Sequence, residues 1–371
     1  MDLMSAAIPQ WLVTEGSSGG SPAPYAADIT SAGRSLPVRH LSTEDLMAST
    51  RHRTGIDLER LTGIRDRRVV GADEDSLTLA VAAAADCLRR RHFDAADLDA
   101  VISCSITKYR GGSTQWLEPA MSDAIAEGIG ASNAITFDVS NACAGMLTGV
   151  FVMNNWIRQG KIRAGLVVSG ESISGLGRNA ARHIRAITSR ELASLTLGDA
   201  GAALLVERAD QPGIGIAAFT TIAEHSRLCL AYPAVHDPGA RMFTRSQALQ
   251  KAAIRDTPVL LKEALDAAQI DISQVDHVIP HQTSARAIRK GMAQVTEALG
   301  GAPRNSAVVT VDHYGNTAST THTVALIDEL SEGRVTPGDQ VALISLASGL
   351  VIGVVLFRAS EGLVRSHGNT N

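Results

Sequence analysis

Short runs of β-branched and aromatic residues alternate along the chain with longer segments that repeat apolar residues at helical spacing. Residues 100–106, 135–139 and 164–169 are typical of buried strands, and residues 76–90 are typical of an amphipathic helix. Two further apolar runs lie within residues 340–357. Strands that alternate with helices in this way predict an α/β fold with mostly parallel sheets.

Three segments show no clear period. We expect residues 1–35, which include a stretch rich in Gly, Ser and Pro, to be an N-terminal extension or irregular start. Residues 224–246 carry scattered His and Pro and predict a loop region near a substrate entrance. Residues 359–371 predict a polar, frayed tail.

A weak internal repeat divides the rest of the chain. A strand, a turn, a helix, a basic glycine loop and a second strand follow one another from Asp138 to Val168 over 30 residues, and from Asp312 to Ile344 over 32. The second copy predicts a strand at residues 308–311. The repeat predicts two similar halves, at residues 36–210 and 211–358, packed face to face about a pseudo-twofold axis. Unrelated α/β units can match at this level, so the repeat is a hypothesis.

Composition narrows the possible functions. The net charge is −4 with both signs mixed, which argues against a nucleic-acid partner. The four cysteines are too widely spaced for a disulfide framework or a zinc motif. The sequence has no run of 18 apolar residues, so we expect no membrane span. It also has no basic segment near the N-terminus, so we expect no secretory signal. These features predict a cytoplasmic protein.

Cys143 is the first candidate for chemistry. It follows the predicted strand at 135–139 and begins a predicted buried helix at 143–157. Unpaired N–H groups and the positive end of a helix dipole stabilise a thiolate, as a nucleophile requires. The alternative is a small residue that is buried for packing alone.

Two further polar residues stand at the ends of predicted strands. His281 ends the apolar strand at 278–280, and Asn316 lies between the strand at 308–311 and a helix. Both side chains can donate to a thioester carbonyl and stabilise an enolate formed there. Singly, each is as well explained as a core histidine or a turn asparagine. At the ends of strands on one sheet edge, together with Cys143, they favour an active site.

Five motifs resemble those of ketoacyl synthase III, a family of the thiolase-like superfamily, in the same order along residues 36–358. They are Thr62-Gly-Ile-Arg65, Asp138-Val-Ser-Asn-Ala-Cys143, Leu197-Gly-Asp-Ala-Gly201, Pro280-His281-Gln282 and Tyr314-Gly-Asn316-Thr317. The resemblance implies a layered α-β-α-β-α fold and an acyltransferase.

Other segments are similar to one branch of that family, the OleA-type enzymes that join two long acyl-CoA chains head to head. The branch's Leu-Glu-Pro segment matches Leu117-Glu118-Pro119, and Ser348-Gly349-Leu350 also matches it. Thr283-Ser284 departs from the fatty-acid initiation enzymes, which have Ala-Asn there. Because that Asn helps to position the malonyl group in those enzymes, this departure argues against ordinary initiation.

The resemblance also implies roles for these residues. Cys143 would form an acyl-thioester, with an oxyanion hole made by its own N–H and a backbone N–H around Ser348-Gly349. His281 and Asn316 would stabilise the enolate of a second thioester. Glu118, from the neighbouring subunit of a homodimer, would remove the α-proton. The substrates would be thioesters of CoA or of carrier-protein phosphopantetheine, with no metal and no redox cofactor.

Three functions stay open. The first is Claisen condensation of two acyl-CoA chains to a β-keto acid or thioester. The second is a ketoacyl synthase III-like enzyme that uses malonyl carrier protein, or that moves acyl groups to a hydroxyl or amine in specialised metabolism. The third is a non-catalytic subunit of a heterodimeric synthase. The intact cysteine, histidine and asparagine argue against the third.

Overall fold

The computed structural model describes residues 24–211 and 213–367. The strands in these ranges are β1 Ala26–Ser35, β2 His40–Ser42, β3 Asp66–Arg68, β4 Ala100–Ser103, β5 Tyr109–Arg110, β6 Thr114–Gln115, β7 Ile135–Asp138, β8 Ala164–Glu171, β9 Ala200–Ala209, β10 Ile214–Thr221, β11 Cys229–Pro233, β12 Ala240–Thr244, β13 His277–Pro280, β14 Gln340–Ala347 and β15 Val351–Arg358. The helices are α1 Thr43–Ala48, α2 Leu58–Thr62, α3 Ser76–Arg91, α4 Met121–Ile129, α5 Gly145–Arg158, α6 Gly175–His183, α7 Ser246–Ala268, α8 Ala285–Leu299, α9 Val311–Tyr314, α10 Thr321–Ser331 and α11 Glu361–Arg365.

Two sheets share one topology. The first has the strand order β1-β9-β8-β4-β7, and the second has the order β10-β15-β14-β13. In each sheet the first two pairs are antiparallel and the next pair is parallel. This correspondence confirms the two similar halves that the internal repeat predicts. The expected mostly parallel sheets are wrong, because β9 and β15 each run antiparallel to both of their neighbours and the sheets are mixed.

Helices separate and cover the sheets in five layers. The helices α3 and α4 pack on the outer face of the first sheet, and α7 packs on the outer face of the second sheet and against α8. Between the sheets lie α5 and α10, which contact strands of both. The largest apolar cluster fills this central layer. The predicted α-β-α-β-α fold is confirmed, and its central layer is where the two halves meet.

Local sequence explains the main elements. Asp75 caps α3 and forms a reciprocal capping box with Thr78. The helix buries one alanine-rich face against β1, β8 and β9, where small side chains allow close packing. Both α5 and α10 are buried on most of their faces, as helices between two sheets must be.

Near both ends of the chain, the described residues differ from expectation. Residues 26–35 form the edge strand β1 of the first sheet, so the first half begins before residue 36. This strand consists largely of small and polar residues buried on both faces, and it therefore lacks the usual alternation. The expected irregular segment at 1–23 lies outside the described residues. Within the expected polar tail, residues 361–365 form α11, which packs against β1.

Two internal predictions are also wrong. The segment 224–246 is not an irregular loop, because β11 and β12 form a hairpin within it. Residues 308–311 are not assigned as a strand: Val308 donates its N–H to Val278 of β13, but the chain then turns into α9 at Val311. The segment still occupies the position beside β13 that corresponds to β7 in the first half.

Candidate active site

Cys143 lies in a 3-10 turn, Ala142–Ala144, between β7 and α5. The α-helix begins at Gly145, two residues later than predicted. Ala142 adopts a left-handed conformation with φ 45°, which is unusual for a residue with a side chain. The second half repeats the feature: Ala318, with φ 55°, begins the 3-10 turn before α10. The two turns contact each other in the central layer, as the pseudo-twofold axis predicts.

The half-buried Cys143 thiol has apolar surroundings. It packs against an apolar cluster that includes Leu197 and Ala318, and against another that includes Ala347 and Val351. Burial, followed by smaller contributions from the nearby Cys229 and Glu171, raises the thiol pKa well above its usual range. Burial therefore acts against the thiolate stabilisation expected at the start of the helix. A helix dipole stabilises a nearby thiolate by about 1 kcal/mol, which is less than one pKa unit. Burial of a charged group can shift its pKa by several units in the opposite direction.

Asn316 is fixed by a contact between two backbone segments. Its N–H donates to the Thr196 carbonyl at 2.8 Å, and its carbonyl accepts from the Gly198 N–H at 3.0 Å. Its side-chain oxygen accepts from the Ala318 N–H at 3.0 Å, so the amide NH₂ is the end left to donate elsewhere. A Cβ on Gly198 would lie 2.1 Å from the Tyr314 carbonyl oxygen, so this approach requires glycine.

His281 directly follows β13, as predicted, and is only 3% exposed. Its backbone N–H donates to the Ile344 carbonyl of β14 at 2.8 Å. Burial, reinforced by the neighbouring His322, lowers the pKa of His281 to about 3. The imidazole is therefore neutral at physiological pH, and it can donate a hydrogen bond without carrying a charge.

Ser348 and Gly349 form the turn that joins β14 to β15. The residues on either side of this turn, Ala347 and Val351, pack in one cluster with Ala144 and Cys143. The structure thus places this turn beside Cys143, and Asn316 beside Leu197 of the Cys143 cluster. His281 comes directly after β13, the strand next to β14.

Glu118 lies apart from this group in the single chain. It is exposed between β6 and α4, and its carboxylate forms no hydrogen bond or ion pair with the described residues. Its neighbour Leu117 is 78% exposed. The segment is tied to the end of β7, where Lys108 pairs with Asp138 at 2.5 Å and the Ser122 N–H donates to Asp138 at 2.9 Å.

Two buried polar residues were missed at the sequence level. Glu171 ends β8 and accepts from the Ile106 N–H at 2.8 Å, the Thr107 N–H at 3.0 Å and the Ser319 hydroxyl. His322 stacks on His281, with ring centroids 5.8 Å apart. The available signal was a charged or titratable residue inside an otherwise apolar strand or helix.

Among residues 24–211 and 213–367, no group of three or more His, Cys, Asp or Glu is arranged to hold a metal ion. No helix in the same part of the chain has both the length and the hydropathy to cross a membrane.

Known proteins are similar to this chain in sequence. The family model described as 3-oxoacyl-[acyl-carrier-protein] synthase III matches residues 137–224, and its C-terminal counterpart matches residues 265–359. A β-ketoacyl-[acyl-carrier-protein] synthase III of Roseiflexus castenholzii is 29% identical over 349 residues, which cover 91% of this chain and 99% of that protein. Both matched segments contain residues of the site: Cys143 in the first, and His281 and Asn316 in the second.

Solved structures share the fold. The priming β-ketosynthase of the R1128 polyketide pathway has a TM-score of 0.78 at 23% identity, covering 92% of this chain and 99% of that one. Cerulenin-bound OleA of Xanthomonas campestris has a TM-score of 0.77 at 22% identity, covering 90% of this chain and 97% of that one.

Proposed function

We propose a specific reaction for this chain. The chain is a ketoacyl synthase III-like member of the thiolase superfamily and a condensing acyltransferase. The reaction is a Claisen condensation that joins two acyl-CoA chains through an acyl-cysteine on Cys143. The product is a β-keto thioester or, after hydrolysis, a β-keto acid. The observation that carries this proposal over other condensations is the exposed, unpaired Glu118, because such a condensation requires a base.

The position of Glu118 supports its action in a second subunit. Strand β7 is the outer strand of its sheet, and its first residue, Ile135, is 58% exposed. An unpaired strand edge with exposed apolar side chains is suited to pairing with a second copy. Because the segment of Leu117 and Glu118 is tied to the end of β7, a homodimer along that edge would carry Glu118 towards the partner.

The first half-reaction loads Cys143. Its sulfur attacks the thioester carbonyl, the bond from that carbonyl to the CoA sulfur breaks, and the thiol proton leaves on CoA. The N–H groups of Cys143 and of the Ser348-Gly349 turn would hold the oxyanion. Because the thiol pKa is raised by burial, its proton moves during the attack and not beforehand.

The second half-reaction forms the carbon–carbon bond. Glu118 takes the α-proton of a second acyl-CoA, while His281 and Asn316 donate to the enolate oxygen. The carbanion attacks the acyl-cysteine carbonyl, the bond to sulfur breaks, and Cys143 recovers a proton from Glu118. A neutral His281 suits this step, because a hydrogen bond stabilises the enolate while leaving it reactive.

The names of the curated relatives favour a second candidate, β-ketoacyl-[acyl-carrier-protein] synthesis with a malonyl thioester. Loss of carbon dioxide from malonate makes the carbanion, so this reaction needs no base. Ser284 argues against it: this residue stands where the initiation enzymes carry Asn, and its hydroxyl accepts from the Ala287 N–H at 3.1 Å as the N-cap of α8.

Glu118→Gln separates the two candidates. Gln keeps the size of the side chain but cannot take the proton. We expect Cys143 to load normally, as followed by the mass of the intact protein, while condensation of two acyl-CoA chains falls by roughly 10²–10⁴-fold. The matched control is Glu127→Gln, an exposed carboxylate on α4, which should leave both steps unchanged.

Turnover of Glu118→Gln within a few fold of wild type, together with carbon dioxide release from malonyl thioester, would establish the second candidate instead. A wild-type protein that forms no adduct on Cys143 with any acyl thioester would contradict both.

A further inference from the structure

His322 lies directly beside the proposed enolate-stabilising histidine. It is 1% exposed, on α10 in the central layer, and its ring is stacked on that of His281 with an interplanar angle of 30°. Its Nε2 lies 3.0 Å from the carbonyl oxygen of Ile344. The backbone N–H of His281 donates to the same oxygen. One carbonyl of β14 therefore holds both histidines.

The contact with Ile344 determines the tautomer of His322. A carbonyl oxygen can only accept, so the Nε2 of His322 must carry the hydrogen. In the neutral ring, the Nδ1 of His322 then has a lone pair and acts as an acceptor. This nitrogen is buried without a partner among the described residues.

Two more buried atoms share that condition: Nδ1 of His281 and the hydroxyl oxygen of Ser345. Pro280 pairs with Ile344 in the parallel register of β13 and β14, so the next residues, His281 and Ser345, are neighbours on adjacent strands. Side chains alternate along β14, and Ile344 packs on the outer face, so Ser345 points into the central layer. His281 does the same on its side, where α10 brings His322.

We infer that these three side chains hold one buried water molecule, which fixes the tautomer of His281. One water molecule can form a hydrogen bond with all three atoms. It donates its two hydrogens to Nδ1 of His281 and Nδ1 of His322, and it accepts a hydrogen bond from the Ser345 hydroxyl. His281 then carries its hydrogen on Nε2. Under the proposed function, on which this role rests, that hydrogen is the one donated to the enolate.

His322 is thus a positioning residue that acts through His281. Buried polar atoms are almost always paired, and three orphans next to one another point to a shared partner. If Nδ1 of His281 carried the hydrogen instead, Nε2 would present a lone pair to the enolate oxygen and repel it. Loss of the water would therefore slow condensation without preventing acyl transfer to Cys143.

Nitrogen-15 NMR of histidine-labelled protein tests this inference without any substrate, because the two ring nitrogens have different shifts in each tautomer. The His281 signals are assigned by their loss in His281→Asn. We expect the wild type at pH 7 to show one tautomer, with hydrogen on Nε2. His322→Phe, which keeps the stacked ring but removes both nitrogens, and Ser345→Ala should each give a mixture. The control is His367→Phe, which replaces a buried histidine elsewhere in the protein and should leave the single tautomer of His281 unchanged.

The kinetic readout follows the same variants. We expect His322→Phe and Ser345→Ala to lower the rate of condensation about 10-fold or more, with loading of Cys143 within twofold of wild type. A wild-type His281 with hydrogen on Nδ1, or an unchanged single tautomer in both variants, would overturn the inference and leave the proposed function standing. A wild type that shows a single His281 tautomer but forms no two-chain condensation product would overturn the proposed function and leave the tautomer result valid.

Discussion

At the residue scale, the two buried groups proposed to react, Cys143 and His281, are uncharged before substrate arrives. Apolar packing raises the pKa of the Cys143 thiol, and burial keeps His281 neutral. Uncharged groups would suit the proposed burial of long acyl chains, because an isolated charge beside them would be costly. The charge that develops on the thioester oxygen would then be met by N–H donors that are already in position.

The raised thiol pKa predicts slow, strongly pH-dependent alkylation. We expect the rate constant for reaction of iodoacetamide with Cys143 to rise about tenfold per pH unit from pH 7 to 9, because the thiolate fraction does so below the pKa. Peptide mass spectrometry measures it, in a Cys229→Ser background that removes the other half-buried thiol. A rate that levels off below pH 8 would mean that the free thiolate is stabilised after all.

The two stacked histidines predict acid-sensitive stability. Burial lowers the pKa of His281 to about 3 and that of His322 to about 4, both below the unfolded value of 6.5. Below pH 6.5 the unfolded chain binds more protons than the folded protein. The free energy of unfolding should therefore decrease as the pH is lowered, by up to about 1.4 kcal/mol per pH unit for each histidine.

Urea titrations of wild type and His322→Phe at pH 7, 6 and 5 measure this slope. The comparison removes the contribution of Asp28, whose pKa is raised to about 6 by burial and which acts in the opposite direction. We expect the variant to lose stability less steeply. Equal slopes would show that His322 is not buried in its neutral form.

At the scale of elements, the pattern of apolar residues predicted the strands and helices of both halves where the sequence is periodic. It missed β1, α6, β10 and the hairpin of β11 and β12. The small, doubly buried residues of β1 show no alternation, and the hairpin's pairing depends on contacts distant in sequence. The order of Cys143, His281 and Asn316 was readable from motifs. The pairing of His281 with His322 was not, because it depends on how α10 packs against β13.

The close approach of Gly198 to Tyr314 joins the two halves of the chain at the site. In Gly198→Ala the new Cβ would meet the Tyr314 carbonyl oxygen and push the segment carrying Asn316 away from Leu197. We expect a loss of about 3 kcal/mol in the free energy of unfolding and slower condensation, measured by denaturant titration and product assay. Gly291→Ala, in α8 with open space around it, is the control. Equal stability of the two variants would mean that these segments do not make this close contact.

At the scale of the whole molecule, the site is proposed to be completed by a second copy. This predicts complementation between two inactive variants. Cys143→Ala and Glu118→Gln, refolded or co-expressed together, would form mixed dimers in which one site has Cys143 from one chain and Glu118 from the other. Random pairing makes half of the dimers mixed, each with one complete site, so we expect about a quarter of wild-type condensation. No recovery, with mixed dimers demonstrated by differential tagging, would mean that Glu118 serves its own chain or none.

The most direct test of the central claim is product analysis with a single substrate. Purified protein is incubated with one long-chain acyl-CoA carrying deuterium at its α-carbon, with no malonyl thioester present, and the products are analysed by mass spectrometry. We predict a β-keto product that contains two acyl chains and has lost deuterium at the joined α-carbon, with Cys143→Ala giving none. Product that forms only after malonyl thioester is added, with release of carbon dioxide, would contradict the claim.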